Sequence, residues 1–229
     1  MGNRCTIANV STLGEAGQRK LADACIGVAG LGGVGGIAFE LLVRAGVGEI
    51  KIADSGFFEE SNANRQSLWS RENDGRKKTD VAQEFSRSMG GKSRVLPFGE
   101  ISAKNAASFA SGCLAVIDAT DRPHSRLAVW LGCKKSNTRY IFASALGEKG
   151  MLTVFNPKKH DFEREFGLKG RRTNPFLACD HSLGPVANLA GCLAAQQAMN
   201  IALFKPAVLF PSVISIDAFS KQPFTQHEF

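Results

Sequence analysis

The stretch that decides the fold runs from residue 24 to residue 35 and reads ACIGVAGLGGVG. Its apolar first half, Ala24 to Ala29, predicts a buried strand, and the glycines that follow predict a tight turn. Apolar residues then recur at helical spacing from Ile37 to Ala45 and stop at Gly46, which predicts a helix. A strand, a glycine-rich turn and a helix in this order are typical of a Rossmann-type unit.

Predicted strands and helices alternate along the rest of the chain. This order indicates an α/β fold: a Rossmann-like, mostly parallel sheet with helices on both faces and a C-terminal antiparallel extension. We expect residues 1–229 to form one domain, with an N-terminal segment at 1–22 and a mobile, charged crossover loop at 157–182. Strands are predicted at 49–53, 93–97, 113–119, 140–145, 151–156 and 213–219, a short helix at 14–21, a long apolar helix at 186–204, and a polar tail after 219.

The composition argues against several classes of protein. With 44% hydrophobic and 21% charged residues, the chain is typical of a globular protein that is not disordered. Its net charge of +7 comes from small scattered groups, which favours a solvated basic surface over a nucleic-acid interface. Its six cysteines contain no C-x-x-C pair, so no zinc site is expected. No secretory leader and no apolar run of membrane-spanning length are found, and we therefore expect a cytoplasmic protein without membrane segments.

The glycine-rich turn carries a nucleotide-binding pattern. Gly30, Gly32, Gly33 and Gly35 lie between the predicted strand and helix. Such glycines let the backbone approach a phosphate, and the helix N-terminus offers free N–H groups and a partial positive charge. Asp54 ends the next predicted strand, where a carboxylate can accept hydrogen bonds from ribose hydroxyls. The pattern predicts a nucleotide site, and up to this point it fits an NAD-dependent oxidoreductase as well as an ATP-using enzyme.

A set of polar residues separates these two interpretations. Arg65 and Lys78 follow the second strand, and Asp121 follows the fourth, so all three should face the ligand crevice at the strand ends. We predict that Arg65 neutralises the β- and γ-phosphates of ATP, Lys78 the α-phosphate, and that Asp121 holds Mg²⁺. Asn62 and Gln66 are predicted to hold the triphosphate or an attacking carboxylate in line. A dehydrogenase has little need of the two cations and the acid.

At these motifs the sequence resembles the ThiF/MoeB/HesA family, the bacterial relatives of ubiquitin-activating enzymes. The resemblance runs from about Gly14 to Phe219 and includes the glycine loop and the segments SNANRQ at 61–66, DATDR at 118–122 and LGPV at 183–186. It implies an ATP-dependent adenylyltransferase that uses Mg²⁺ and forms a homodimer. It also implies a partner: a small ubiquitin-like or sulfur-carrier protein, typically ending in Gly-Gly, whose C-terminal carboxylate becomes an acyl-adenylate.

The resemblance also implies roles for individual residues. By similarity Asp54 binds the ribose, Arg65 and Lys78 bind the phosphates, and Asp121 binds the metal. In related sulfur-carrier enzymes a cysteine near the position of Cys179 forms a covalent link to the carrier. For Cys179 a reactive thiolate and an inert, half-buried thiol both stay open.

Several positions depart from the pattern of the family. Gly56 stands where a second acidic residue usually follows the ribose aspartate. The absence of the C-x-x-C pairs of many members implies a zinc-free branch. The family has an N-terminal basic residue that reaches the ATP of the partner subunit, and its best candidate here is Arg4.

Alternative functions stay open beside the adenylyltransferase. They are a tRNA threonylcarbamoyl-adenosine dehydratase-like member, with which the basic charge is compatible, an NAD-dependent oxidoreductase, and a non-catalytic partner subunit. The pair Arg65 and Lys78 disfavours the oxidoreductase, and the presence of Asp121 disfavours the non-catalytic subunit. The sequence does not select a pathway, whether thiamin biosynthesis, molybdopterin synthesis, another sulfur transfer or a conjugation system.

Overall fold

A computed structural model of the protein describes residues 6–90, 92–167, 175–178 and 181–229. It contains a single eight-stranded sheet, with helices packed around it, in the part of the chain that is described. The strands are β1 (Cys25–Ala29), β2 (Glu49–Ala53), β3 (Arg94–Phe98), β4 (Ala115–Asp118), β5 (Arg139–Leu146), β6 (Lys149–Phe155), β7 (Ser212–Asp217) and β8 (Phe224–Glu228). The helices are α1 (Ile7–Ala22), α2 (Gly33–Ala45), α3 (Lys78–Ser88), α4 (Ala106–Ala110), α5 (Pro123–Ser136), α6 (Phe162–Glu165) and α7 (Gly184–Ala202).

The strand order in the sheet is β3-β2-β1-β4-β5-β6-β7-β8. The first five strands are parallel and the last three are antiparallel to their neighbours, which confirms the predicted fold class. From β1 the chain builds outward to β2 and β3, and then returns to the other side of β1 to form β4 and β5. The point between β1 and β4 is therefore the topological switch point, where open α/β sheets bind ligands.

Helices cover both faces of the sheet, and each face has its own core. On one face α2, α3 and α7 pack over the sheet, and on the other face α4, α5 and α6 do so. Helix α7 lies so close to α2 that a β-carbon at Gly191 would come within 2.3 Å of the carbonyl oxygen of Val34. Small residues on the buried side of α7 permit this approach: Ala187, Ala190, Ala194 and Ala198.

Two elements differ from the sequence-based expectation. The predicted polar tail instead contains β8, which pairs with β7 in a hairpin. Every residue of β8 is exposed, so the strand lacks the apolar alternation by which a half-buried strand is detected. Helix α1 begins at Ile7 rather than near residue 14, and its backbone is interrupted at Gly14, where φ is 71°.

The crossover segment is anchored by aromatic side chains that its charged composition conceals. We expected a surface loop, but Phe162 and Phe166 are at most 1% exposed. The ring of Phe162 lies 5.0 Å from Tyr140 and 5.3 Å from Phe155 between centroids, and Trp130 completes the cluster. The expectation is thus corrected for residues 162–166, because two phenylalanines four residues apart share one face of α6 and its end, whereas Lys158 and Lys159 lie on the surface as expected. The mobility of the whole segment 157–182 stays a prediction.

This cluster gives a stability prediction. Phe162→Ala should lower the free energy of unfolding by about 3–5 kcal/mol, since it leaves a cavity among fully buried rings. The matched control is Phe219→Ala, which removes a ring that is 80% exposed and should change stability by less than about 0.5 kcal/mol. Urea unfolding followed by circular dichroism measures both. Equal losses in the two variants would contradict the anchoring role of α6.

Candidate active site

A cleft of about 300 Å³ opens at the carboxyl ends of β1, β2, β4 and β5. One side is formed by the turn after β1, the first residues of α2 and the loops after β2 and β3. The other side is formed by the turn after β4, the first turn of α5, the middle of β5 and the crossover residues His181 and Ser182. The cleft therefore lies at the topological switch point, as predicted.

The glycine turn has two separate structural tasks. Gly30 has a φ of 87°, and a β-carbon there would lie 2.6 Å from the carbonyl oxygen of Ala119, so both conformation and space require glycine. Gly32 and Gly33 line the cleft at the start of α2. Gly35 does not line it: a β-carbon at Gly35 would lie 1.8 Å from the oxygen of Gly30. Gly35 thus allows the helix to pack on the strand, which places the helix N-terminus at the cleft.

Asp54 ties the loops after β1 and β2 together. Its Oδ2 accepts a hydrogen bond of 2.7 Å from the backbone N–H of Leu31, and its Oδ1 accepts one of 2.7 Å from Gly56. Each carboxylate oxygen retains a further lone pair, and the residue lines the cleft. A β-carbon at Gly56 would lie 3.0 Å from Oδ1 of Asp54, which is a tight contact for any other residue. Binding of a ribose by Asp54 stays a prediction.

Two cationic side chains lie in the cleft without an anionic partner within the described residues. Arg65 donates from Nη1 to the backbone oxygen of Ser61 at 3.1 Å and to Oδ1 of Asn64 at 2.8 Å, both neutral acceptors. Lys78 begins α3, and its Nζ lies 5.7 Å from the centroid of the Phe58 ring. Guanidinium and ammonium groups placed this way are ready to bind an anion.

Asn62 and Gln66, which were predicted together, have different surroundings. Asn62 lies outside the cleft: its Oδ1 accepts from the backbone N–H of Glu59 at 3.2 Å and caps a short 3₁₀ helix. Gln66 lines the cleft and is 7% exposed, and its Oε1 has no hydrogen-bond partner among the described residues. An unsatisfied buried amide oxygen costs about 1–3 kcal/mol, so a ligand with a donor group fits here. The structure therefore brings Gln66, and not Asn62, to the site.

Two aspartates, one at the end of β4 and one in the turn that follows it, have opposite environments. Asp121 lines the cleft and is exposed, with no ion pair or hydrogen bond to its side chain in the part of the chain described. Asp118 is fully buried, and its Oδ1 accepts from the backbone N–H and hydroxyl of Thr120 at 2.9 and 2.7 Å. The hydroxyl of Tyr140 donates to its Oδ2. Burial raises the pKa of Tyr140 well above its ordinary value, so the phenol stays protonated and can donate.

Arg126 neutralises Asp118 and connects it to the crossover segment. Its Nη1 lies 3.5 Å from Oδ2 of Asp118, and the arginine is 1% exposed. Its Nε donates to the carbonyl oxygen of Leu177 at 3.2 Å, and its Nη2 to Oγ of Ser144 at 3.3 Å. The Ser144 hydroxyl in turn donates to the oxygen of Phe176 at 2.7 Å. This network fixes the wall of the cleft, and the sequence analysis did not assign it.

The far side of the cleft contains further residues that the sequence analysis missed. Arg122, Ser125, His181 and Ser182 all line it. The side chain of Arg122 makes no ion pair or hydrogen bond with any residue that the structure describes. Their only sequence signal is position, since each lies between a strand and a helix or in the first turn of a helix, at the end of the sheet where ligands bind.

Three further sequence-based expectations concern metal binding, membrane-spanning helices, and the two residues Arg4 and Cys179. Among residues 6–90, 92–167, 175–178 and 181–229, no group of three or more His, Cys, Asp or Glu is placed to hold a metal ion. Within the same ranges, every helix is too short or too polar to traverse a bilayer. Arg4 and Cys179, predicted as a cross-subunit residue and as a nucleophile, lie outside the described residues.

Comparison with protein families decides the class of the chain. The family model described as ThiF family matches residues 5–229. This chain belongs to the ThiF family.

Among similar proteins of this family, the adenylyltransferase and sulfurtransferase uba4 of Aspergillus clavatus is 30% identical over 230 residues, which cover 94% of the chain and 47% of that protein. The adenylyltransferase and sulfurtransferase MOCS3 of Arabidopsis thaliana is 30% identical, with 89% of the chain and 45% of that protein covered. The chain thus spans about half the length of these relatives.

Solved structures share the fold. Escherichia coli MccB, crystallised with MccA, superimposes with a TM-score of 0.80 at 20% identity, covering 100% of this chain and 72% of that one. PaaA superimposes with a TM-score of 0.75 at 16% identity, covering 93% of this chain and 66% of that one. At these identities the likeness concerns the fold alone.

The packing of the glycine turn in this ThiF-family chain gives a prediction with a neighbouring control. Gly35→Ala should destabilise the protein by about 3 kcal/mol or more and abolish nucleotide binding, because its β-carbon would overlap the backbone of Gly30. Gly36→Ala should be neutral or stabilising by up to ~1 kcal/mol, since its nearest contact, Leu31 O at 3.5 Å, is an ordinary one. Thermal unfolding with and without ATP measures both effects. A stable, ATP-binding Gly35→Ala variant would disprove the packing role.

Proposed function

We propose that this chain is an ATP-dependent adenylyltransferase. In the proposed reaction an oxygen of a carboxylate attacks the α-phosphorus of ATP, pyrophosphate leaves, and an acyl-adenylate remains. The observation that carries the proposal is the cleft itself, in which Arg65 and Lys78 lack anionic partners within the described residues and face the same space as Asp121. A hydride-transfer enzyme would leave this combination of charges unexplained.

The charge of the reactants accounts for the two cations. A triphosphate and an attacking carboxylate repel each other, and negative charge shifts to the pyrophosphate as the α-phosphorus is attacked. Arg65 and Lys78 offset this repulsion, and because they already stand in the cleft they stabilise the transition state more than solvent, which would have to reorient, does. The attacking carboxylate is already ionised at neutral pH, so no general base is needed. Positioning and charge neutralisation together account for the catalysis.

The near side of the cleft accommodates the nucleotide. The N–H groups at the start of α2, next to Gly32 and Gly33, provide a phosphate site. Asp54 offers its remaining lone pairs to the ribose hydroxyls. The unpartnered Oε1 of Gln66 can accept a hydrogen bond from a donor group of the ligand. A rotation of 180° about the last side-chain bond exchanges the amide oxygen and nitrogen, so the side chain can also donate from its NH₂ group to a phosphate.

Magnesium fits the donor set of this cleft. Mg²⁺ is usually bound by one or two carboxylates together with substrate phosphates and waters, rather than by a complete cage of protein ligands. Asp121 supplies such a carboxylate, without a competing cation among the described residues. When bound, the ion neutralises charge on the phosphate oxygens.

The far side of the cleft accommodates the acceptor. Arg122 and the start of α5 face it, and α5 carries no acidic residue in its first turn. We assign Arg122 to the carboxylate of the acceptor, because Arg65 and Lys78 are taken by the phosphates. The acceptor class that we propose, from the family resemblance, is a small ubiquitin-like or sulfur-carrier protein with a Gly-Gly end; that the relatives from Aspergillus and Arabidopsis are named adenylyltransferases and sulfurtransferases supports a sulfur carrier.

The proposal extends to the state of the protein. It is a cytoplasmic homodimer in which Arg4 reaches the ATP of the other subunit, and Cys179 is the residue to test for a covalent link to the carrier. MccB, with the same fold, was crystallised with ATP. Thiamin biosynthesis is one pathway such an enzyme serves.

ATP–pyrophosphate exchange tests the proposed reaction. With Mg²⁺ and a screen of Gly-Gly-ended carrier proteins and small carboxylates, the wild-type protein should exchange label with one acceptor. Lys78→Met and Asp121→Asn should lower the exchange rate roughly 100-fold or more, because each removes a charge at the reacting phosphates. Lys77→Met is the matched control: it is an exposed neighbour that does not line the cleft, and its rate should stay within about twofold of wild type.

The other outcomes separate the alternatives. Binding of ATP without exchange for any acceptor would indicate a non-catalytic partner subunit. Binding of NAD with no affinity for ATP would refute the adenylyltransferase and favour the oxidoreductase. Exchange that requires tRNA instead of a carrier protein would place the chain with the tRNA-modifying members.

The role of Arg122 has its own test. Arg122→Gln should raise the KM for the acceptor roughly 10- to 100-fold and leave the KM for ATP nearly unchanged, since a charge-assisted hydrogen bond to the carboxylate is lost. Lys135→Gln removes an exposed charge at the far end of α5 and serves as the control. A rise in the KM for ATP instead would reassign Arg122 to the nucleotide.

A further inference from the structure

Two thiols are in contact at the amino-terminal ends of the central strands, opposite the end of the sheet that forms the cleft. Cys25 is the first residue of β1, and Cys113 lies two residues before β4. Their Sγ atoms are 3.4 Å apart, although 88 positions separate them in the sequence. We propose that Cys25 and Cys113 form an oxidation site, where a small-molecule disulfide of the glutathione type converts the two thiols into one intramolecular disulfide bond.

The backbone around the pair is held in a geometry that suits this bond. Strands β1 and β4 are parallel neighbours, with Ile26 opposite Ala115. The N–H of Leu114 donates to the carbonyl oxygen of Cys25 at 2.9 Å, which fixes the start of both strands. A disulfide has an S–S length of about 2.05 Å, so the sulfur atoms need to approach by only roughly 1.4 Å, a distance within the reach of side-chain rotation.

The surroundings give the two thiols different roles. Cys25 is partly exposed and can meet an oxidant, whereas Cys113 is 7% exposed and can meet only its neighbour. The Cys25 thiol also lies 3.3 Å from Oε1 of Glu49, and Glu49 is bound by Arg94. The hydrogen bond to Cys113, burial and Glu49 raise the pKa of Cys25, so the pair rests as thiols, and the exchange, which needs the thiolate, becomes faster as the pH is raised.

Oxidation of the pair proceeds by two successive thiol–disulfide exchanges. The thiolate of Cys25, formed by loss of a proton to solvent, attacks one sulfur of the oxidant and releases one small thiolate, which leaves a mixed disulfide on Cys25. The thiolate of Cys113, formed in the same way, attacks Sγ of Cys25 and releases the second small thiolate. The two cysteines are oxidised, the small-molecule disulfide is reduced to two thiols, and no other reactant is needed.

The position of the Cys25–Cys113 disulfide determines its effect on stability and on the cleft. The bond closes a long loop between β1 and β4, which restricts the unfolded chain and stabilises the fold. The cleft lies at the other end of the same strands, about 15 Å away at the rise of a five-residue strand. Oxidation should therefore stabilise the protein without blocking the cleft, and this inference does not depend on the proposed reaction.

The test uses the full chain under native conditions. After incubation with oxidised glutathione and alkylation of free thiols, peptide mapping by mass spectrometry should show a linked pair of peptides containing residues 25 and 113. The Tm should rise by roughly 5–10 °C, and a reductant should reverse the rise. Cys25→Ser and Cys113→Ser should each abolish the linked peptide and the shift. Cys192→Ser, which removes another partly exposed thiol, should keep both.

Three results would overturn the inference. They are a stable glutathione adduct on Cys25 with no link to Cys113, a link from either cysteine to a third one, or full alkylation of both thiols after exposure to the oxidant. The mapping of the wild-type protein alone gives the answer if a serine variant fails to fold. Nucleotide binding measured on the oxidised protein shows separately whether the cleft is unaffected.

Discussion

The buried carboxylate of Asp118 is the constraint on which the active-site region depends. A charge at 0% exposure is costly unless it is paired and hydrogen-bonded, and here Thr120, Tyr140 and Arg126 all contact it. Loss of one partner from such a pair costs about 3–5 kcal/mol, because it leaves an uncompensated buried charge. The same contacts set the turn that carries Asp121. One electrostatic requirement of the core thus determines where the exposed acid of the cleft stands.

Arg126 connects the buried carboxylate of Asp118 to the crossover segment. Because one guanidinium contacts Asp118, Ser144 and the carbonyl of Leu177, three stretches of chain that are distant in sequence share a single polar centre. A lysine could not satisfy this geometry, since it lacks the planar fork of donors. The far wall of the cleft is therefore built around a buried ion pair, whereas the near wall is built around glycines.

Features that depend on local backbone chemistry could be predicted from the sequence. The tight turn at Gly30 between strand and helix is visible in the order of residues, whereas Gly35, which was predicted to bind the nucleotide, lies outside the cleft lining and packs against Gly30. The buried parallel strands appear as apolar runs bounded by glycine, as at β1. The family resemblance then added residue roles for Arg65 and Lys78, which the structure brings to the cleft.

Features that depend on partners far along the chain could not be predicted. Asn62 belongs to a polar motif, but its side chain satisfies a neighbouring N–H, which only the three-dimensional structure can show. Phe162 lies in a charged stretch, yet it is fully buried because its ring packs against the rings of Tyr140 and Trp130. Strand β8 forms through backbone pairing with β7 alone, and no hydrophobic pattern accompanies it.

The strand order is compatible with the two reactants of the proposed function. At the switch point the chain sends β2 to one side of β1 and β4 to the other, so Arg65 and Lys78 reach the cleft from one half of the sheet and Asp121 reaches it from the other half. Neighbouring strands are only about 4.8 Å apart, and the ends of β1 and β4 therefore bring Gly32 and Asp121 to the same space. For a reaction that proceeds by positioning and charge neutralisation, this arrangement supplies much of what catalysis needs. In the proposed reaction Asp121 and Arg122, which are neighbours in one turn, bring the acceptor carboxylate next to the phosphates.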